Sequence, residues 1–187
     1  VFGHRPRSTH ARLLVGCAPQ HSVLPRFLYV HEVFDFVGRH FANPLPTSDL
    51  ADRFDLTRHL SRPVSVLSPG EERQITVALA FIGRPSLVVL DEPTAGLDRD
   101  AQARIRSIIR SAHVHSTALL IATSEPAEAT FLADRVLLMR DGELRFEGDR
   151  NQVLSHVGIS RVSFRTDTPT RLAELDSAVL TRCARCP

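Results

Sequence analysis

Hydrophobic residues along the chain form four short continuous runs, and the segments between them show helical spacing. The runs predict strands at residues 13–17, 87–90, 118–122 and 136–139. Continuous apolar runs of this length are typical of parallel strands buried on both faces. Helices are predicted at 32–40, from 49, at 69–82, after 98 and after 126. This alternation indicates an α/β domain built on a mostly parallel sheet.

Two of the predicted helices have recognisable starts. The segment Ser68-Pro69-Gly70-Glu71 offers a capping box with proline at the first helical position. Asp98 is a candidate N-cap for the helix that follows it. Each start is followed by one apolar stripe, which comprises Ile75, Ala78, Leu79 and Ile82 in the first helix and Ile105, Ile108, Ile109 and Ala112 in the second.

The rest of the chain is less regular. Asp141-Gly142 predicts a tight turn between 136–139 and 144–147, a hairpin that we expect to close the sheet as a short antiparallel edge. Prolines and scattered charges at 41–63 indicate a small helical insertion on irregular connections. After His156 the pattern weakens, which predicts a less defined C-terminal extension.

Composition narrows the possible functions. The 187 residues are 43% hydrophobic and 24% charged, which suits one globular domain. The 23 basic and 21 acidic residues are spread along the chain, so no basic surface for nucleic acid is indicated. No apolar run is long enough to span a membrane. Three cysteines suit a reducing compartment, and neither the Cys183/Cys186 pair nor the His113/His115 pair has the further ligands of a metal site.

Polar side chains that could bind a ligand or take part in catalysis follow three of the predicted strands. Gln20 follows the first, Asp91 and Glu92 the second, and Ser124 the third. Ligands of open parallel sheets bind beyond the carboxyl ends of the strands. Asp91 could hold Mg²⁺ through its water shell while Glu92 orients or deprotonates an attacking water. The alternative is a strand that simply ends in solvent-exposed acids.

Several motifs in order resemble one family. Residues 87–98 resemble the Walker B strand and D-loop of ATP-binding cassette (ABC) transporters, and 67–71 resemble the ABC signature. Residues 16–20 resemble the Q-loop, and 134–142 resemble the closing strands. The resemblance covers residues 1–150 and implies a P-loop NTPase-like ABC ATPase domain with a helical subdomain. Residues 16–21 and 77–83 look most like subfamily A, whose members mostly move lipids.

The resemblance also implies cofactors, partners and site residues. The cofactors would be ATP and Mg²⁺, with Asp91 and Gln20 at the metal. The catalytic set would be Asp91, Glu92 and the switch position Ser124, whereas the set that contacts nucleotide would be Gln20, Ser68, Pro69, Gly70, Glu71 and Asp98. Partners would be a transmembrane domain, to which Gln20 couples the site, and a second cassette in a head-to-tail dimer. The location would be the cytoplasmic side of a membrane, with no nucleic acid involved.

Independent physical reasoning supports one of these roles. The N-terminus of a helix has free N–H groups and a positive dipole end, so the segment after Ser68 is a natural phosphate site. Helix capping alone is the alternative role for the Ser68 hydroxyl.

One family motif is absent from the sequence. No GxxxxGK[ST] occurs, so no lysine and no nest of N–H groups is available for the β- and γ-phosphates. We therefore expect a partial cassette at 1–155, without the N-terminal strands and Walker A, followed by an extension at 156–187. We expect the isolated chain to be inactive, and poorly soluble because apolar sheet surface is exposed.

Three further positions depart from the family pattern. Pro69 replaces a glycine and removes an N–H, while Glu71, followed by Glu72, adds negative charge where polyphosphate would approach. Ser124 replaces the switch histidine and cannot become cationic. These features leave open a hydrolysing cassette segment or a degenerate, non-catalytic cassette with a structural or regulatory role. A third alternative is a soluble ABC-fold protein acting on ribosomes or DNA. Such a protein would normally carry a second cassette, basic linkers or coiled-coil insertions, and this segment shows none of them.

Overall fold

Three parallel strands form the central sheet, in the order β1 (Val15–Ala18), β2 (Leu87–Asp91) and β3 (Ala118–Ala122). Val15 pairs with Leu87, and Leu87 pairs with Ala118, so all three strands start level with one another. Their carboxyl ends therefore lie at the same edge, as the sequence predicted. The α/β class with a parallel sheet is confirmed.

Helices connect and flank the strands in the computed structural model. They are α1 (Thr9–Leu13), α2 (Val30–Gly38), α3 (Thr47–Arg53), α4 (Pro69–Leu79), α5 (Arg99–Ala112) and α6 (Pro126–Leu132), with two short 3₁₀ turns at Thr57–His59 and Val64–Val66. The predicted start of α4 is confirmed, because Ser68 is its N-cap, the capping box with Glu71 is formed, and proline occupies the first turn.

The two faces of the sheet differ in burial. Val88 and Leu90 point to one face and are fully buried, in the same hydrophobic cluster as Ile75 of α4 and Ile105 of α5. On the opposite face Leu120 is 53% exposed. Strand side chains alternate between the two faces of a sheet, so this contrast means that one face is packed and the other is largely open.

A close approach joins α4 to β1. A Cβ on Gly16 would collide with the backbone carbonyl of Ala80, which follows α4 directly. Since that neighbour is backbone and not a flexible side chain, only glycine allows β1 to lie this close to the end of the helix.

Two sequence predictions were wrong in detail. Residue Leu13 is not in a strand but ends α1, and β1 begins at Val15. The second is the antiparallel edge. Strands β4 (Arg135–Arg140) and β5 (Glu143–Asp149) do form the expected hairpin, with positive φ at Asp141 and Gly142. They pair only with each other within the described residues, so the hairpin is a separate two-stranded sheet and does not extend the central one.

The structure describes residues 1–5, 7–112, 117–149 and 151–152. They fall within one unit, Val1–Val153, whereas the other unit, Leu154–Pro187, lies outside the described residues. The predicted extension at 156–187, the Cys183/Cys186 pair and the His113/His115 pair lie outside them as well. None of the helices within the described ranges combines the length and the apolar content needed to cross a membrane.

Candidate functional site

The ends of β2 and β3 meet at Glu92. The Glu92 N–H donates to the Ala122 carbonyl at 2.8 Å, and the Glu92 carboxylate accepts a hydrogen bond from the Ser124 N–H, with Oε1 2.7 Å from N. Asp91, the last residue of β2, is exposed beside it. The structure thus brings together the three predicted catalytic positions Asp91, Glu92 and Ser124.

The backbone at Glu92 is unusual. Its φ is +47°, in the left-handed region that side chains with a Cβ rarely adopt. A residue held there costs on the order of 1–3 kcal/mol and persists only where its surroundings fix it. The turn at Glu92 directs the chain away from β2 and aims its carboxylate toward the segment after β3.

A buried arginine lies behind these acids. Arg73 of α4 is 8% exposed, and its guanidinium donates to the Pro19, Asp91, Glu92 and Pro93 carbonyl oxygens. Burial lowers the pKa of Arg73, and the nearby carboxylates of Asp91, Glu128 and Glu92 oppose that effect. Arginine is not deprotonated in proteins. A fixed positive charge therefore lies beneath Asp91 and Glu92, which together form the acidic edge of the sheet.

Gln20 lies next to this edge, after β1. Its side chain is exposed, while the carbonyl of its neighbour Pro19 is held by Arg73 at 2.6 Å. Within the described ranges no three His, Cys, Asp or Glu side chains cluster as a metal site would require. Mg²⁺ takes oxygen ligands and is usually bound by only one or two carboxylates plus phosphate oxygens and water, so Asp91 and Gln20 suit it. The chain contains no lysine, and its basic residues are all arginine.

The N-terminus of α4 forms a second group. The Ser68 hydroxyl accepts a hydrogen bond from the Glu71 N–H at 3.3 Å, while the Glu71 carboxylate accepts one from the Ser68 N–H at 2.7 Å. The same carboxylate forms an ion pair with Arg62 at 2.9 Å. Pro69 and Gly70 complete this turn, with Gly70 against Leu97 and Ala101.

The Glu71 charge is balanced within the chain, which corrects part of the sequence expectation. Burial raises its pKa, but hydrogen bonds from the Ser68 backbone and from Arg62 outweigh that effect and the pKa is lowered overall. His59, 1% exposed, lies 3.5 Å from Glu71 Oε1, and burial is the main cause that lowers its pKa. Glu71 is therefore an ionised, paired carboxylate and not a free repelling charge.

Asp98 precedes α5 and is exposed. Its carboxylate accepts a hydrogen bond from the Ala101 N–H at 2.8 Å, so the predicted N-cap is formed. Gly96, with φ of +74°, makes the turn between the acidic edge and this cap.

Sequence reasoning missed two residues of this region, Arg73 and Glu128. Glu128 of α6 is fully buried, and neither carboxylate oxygen has a hydrogen-bond partner. Burial is the main cause that raises its pKa; the Thr123 and Thr94 hydroxyls lie near enough to oppose this effect but do not meet hydrogen-bond geometry. Charged residues in helices are usually exposed, so the sequence gives no signal for either position.

The sequence is similar to known ABC transporter proteins. The sequence profile described as ABC transporter matches residues 3–95. The Nod factor export ATP-binding protein I of Ralstonia nicotianae is 32% identical over 161 residues, which are 83% of this chain and 49% of that protein. ABC transporter A family member 12 of Arabidopsis thaliana is 30% identical over 174 residues, 88% of this chain and 19% of that protein. The chain spans about half the length of the Nod factor protein and less of the plant transporter.

Solved structures show the same fold. An ATP-binding subunit of an ABC transporter matches with a TM-score of 0.68 and 21% identity, over 96% of this chain and 75% of that one. A dimeric ATP-binding cassette in a post-hydrolysis state with ADP and Pi matches with a TM-score of 0.65 and 18% identity, over 76% of this chain and 65% of that one. At these identities the similarity establishes the fold alone.

Proposed function

Because the chain belongs to the ATP-binding cassette family of ABC transporters, we propose that it is a cassette segment, residues 1–155, that takes part in ATP-driven transport. We propose lipid as the transported class. The segment would act on the cytoplasmic side of a membrane through a transmembrane domain and a second, head-to-tail cassette. The C-terminal extension from residue 156 has no assigned part in this function.

The observation that carries the proposal is the contact between Glu92 and the Ser124 N–H at 2.7 Å beside the exposed Asp91. Bound Mg²⁺ and ATP would supply the phosphoryl group and neutralise its charge. Asp91 and Gln20 would hold the metal from the ends of β2 and β1. Glu92, already oriented by the Ser124 N–H, would accept a proton from the attacking water or orient that water.

The proposed function also involves the N-terminus of α4. Ser68 and Gly70 would meet nucleotide held by the opposing cassette, with Asp98 across the dimer. Pro69 supplies no N–H to that contact, so this half-site has one donor fewer than a glycine would give.

A second candidate function is a non-catalytic half that regulates or supports a more competent cassette. The Glu71 carboxylate favours it, because this internal anion already occupies the Ser68 N–H at 2.7 Å, where phosphate would bind. In either case we expect the chain by itself to hydrolyse no ATP.

The first test is a titration of the assembled transporter that contains this chain with Mn²⁺·ATP, followed by electron paramagnetic resonance, since Mn²⁺ prefers the same oxygen ligands as Mg²⁺. We expect Asp91→Asn to weaken binding about tenfold, the scale of one lost charge-assisted ligand. Asp100→Asn is the matched control, since Asp100 is an exposed aspartate in the first turn of α5. Equal affinities for wild type and Asp91→Asn would reject the site.

The transported class needs a separate test. The assignment is based on the similarity of residues 16–21 and 77–83 to subfamily A. In cells that make the transporter containing this chain, Glu92→Gln should reduce efflux of a fluorescent phospholipid while leaving the protein level unchanged. Unchanged lipid efflux, together with reduced efflux of another solute class, would replace lipid as the substrate.

A further inference from the structure

Arg73 connects α4 to the ends of two strands. Its side chain is 8% exposed. Nε donates to the Pro93 carbonyl at 3.0 Å, Nη1 to Pro19 at 2.6 Å, and Nη2 to Asp91 at 2.6 Å and Glu92 at 3.1 Å. One guanidinium therefore satisfies carbonyls from the segment after β1 and from the segment after β2.

These carbonyls converge because of the turn at Glu92. Positive φ there turns the chain out of the β2 ladder, and the consecutive carbonyls of residues 91–93 reach a common donor. A buried carbonyl without a donor is costly, and a strained residue persists only where its surroundings fix it. The planar fork of arginine can serve several acceptors at once, which a lysine ammonium on a flexible stem cannot reproduce.

A second contact links α4 to the segment after β1. The Ser22 and Thr76 hydroxyl oxygens lie 3.0 Å apart, three residues along α4 from Arg73. Gln20 thus lies between two positions, Pro19 and Ser22, that are both attached to the same helix. The helix that begins at Ser68 is therefore tied to both strand ends.

We infer that Arg73 is a positioning residue, which holds the backbone of Gln20 on one side and that of Asp91 and Glu92 on the other in fixed relation to α4. This inference rests on the proposed function, in which the side chains of Gln20, Asp91 and Glu92 take part in ATP hydrolysis. Arg73 would touch neither metal nor nucleotide. It would transmit a displacement of the Ser68 end of α4 to the acids, because its contacts are to backbone and not to mobile side chains.

The test is amide hydrogen exchange of the full chain, with Arg73→Lys compared with wild type. We expect exchange of the Glu92 and Ala95 N–H groups, which donate to the Ala122 and Glu92 carbonyls, to accelerate at least about tenfold, the loss expected when hydrogen bonds to a charged donor are removed. Exchange in α2 and α3 should stay within about threefold of wild type. Arg53→Lys is the matched control; Arg53 lies over the Phe81 ring at 5.9 Å, outside the proposed site.

Two exchange results would overturn the inference: acceleration by the same factor in every element, which is what a general stabilising role predicts, or no change at Glu92 and Ala95. If Arg73→Lys does not fold, the wild-type guanidinium is examined by NMR. Separate, slowly exchanging Nη protons for Arg73 are expected, and freely rotating Nη groups would contradict it. Neither measurement needs nucleotide. A failed Mn²⁺·ATP titration would therefore reject the proposed function without changing the result for the positioning role of Arg73.

Discussion

Arg62 and Glu71 form an ion pair at the first turn of α4, with Nη1 2.9 Å from Oε1. Arg62 also donates to the Val66 carbonyl at 3.0 Å, and Glu71 accepts from the Ser68 N–H. The pair therefore joins the loop before α4 to its capping box. Glu71 thus has a structural partner in the same chain.

This ion pair predicts a specific mutational pattern. Glu71→Gln keeps a capping-box side chain but removes the charge, whereas Arg62→Met leaves the Glu71 carboxylate without its cation. Since both side chains are partly exposed, at 37% and 22%, we expect a coupling of about 0.5–1 kcal/mol in a double-mutant cycle of urea unfolding. Coupling indistinguishable from zero would mean that the pair contributes nothing.

The same carboxylate predicts an acid-side loss of stability. The pKa of Glu71 is lowered in the folded chain: burial raises it, but the hydrogen bonds from Ser68 and Arg62 outweigh burial. A lowered pKa stabilises the fold above the unfolded pKa, and this stabilisation is lost as pH falls through the folded value. Wild type should therefore lose more stability than Glu71→Gln below about pH 4.3. Parallel pH profiles of the two proteins would contradict this.

Glu128 predicts the opposite pH dependence. Burial is the main cause that raises its pKa, and Glu92 adds to the effect. A raised carboxyl pKa favours folding most below the unfolded value, about 4.3, and this advantage is lost as pH rises through the folded pKa. Glu128→Gln should flatten the decline in melting temperature as pH rises above the unfolded value.

A second Glu128 variant tests the burial itself. Since neither carboxylate oxygen has a partner, Glu128→Met should be more stable than wild type at pH 8, by about 1–3 kcal/mol, the cost of an unsatisfied buried polar group. Asp134→Asn, at an exposed position, is the control and should change little. A destabilised Glu128→Met at pH 8 would show that the carboxylate is ionised and satisfied.

The open face of the sheet predicts poor solubility for the isolated chain. Leu120 is 53% exposed on that face, whereas Leu90 on the opposite face is fully buried. Leu90→Ala should cost about 2–5 kcal/mol, and Leu120→Ala less than about 1 kcal/mol. Leu120→Ala should also raise the soluble fraction and lower binding of a hydrophobic dye. A soluble, monomeric wild type that binds no dye would contradict the expectation.

The start of α5 gives a further test. The Asp98 carboxylate caps the helix through the Ala101 N–H at 2.8 Å. Asp98→Ala should destabilise the chain by about 1 kcal/mol, while Asp98→Asn, which can still accept that hydrogen bond, should retain most of the stability. Chemical denaturation of both variants measures this. Equal losses would show that charge, and not the cap, is what matters at Asp98.

Local patterns predicted the positions that local physics controls. The start of α4 at Ser68, the cap at Asp98 and the turn at Asp141-Gly142 follow from hydrogen-bonding and φ preferences of a few adjacent residues. The first strand was predicted too early, because Leu13 is apolar in either a strand or the short α1 that the chain forms. Whether the 135–149 hairpin joins the central sheet depends on contacts between segments far apart in the sequence, which periodicity does not encode.

By itself the sequence determined the order of strands and helices, the acids that end β2, and the family to which these motifs belong. The tertiary structure alone decided which charges are compensated and how the strand ends are held. Arg73 and Pro19 are 54 residues apart in sequence, yet their 2.6 Å contact fixes the edge of the site. Such contacts depend on burial and on distance in space, which a pattern of residue types along a chain does not specify.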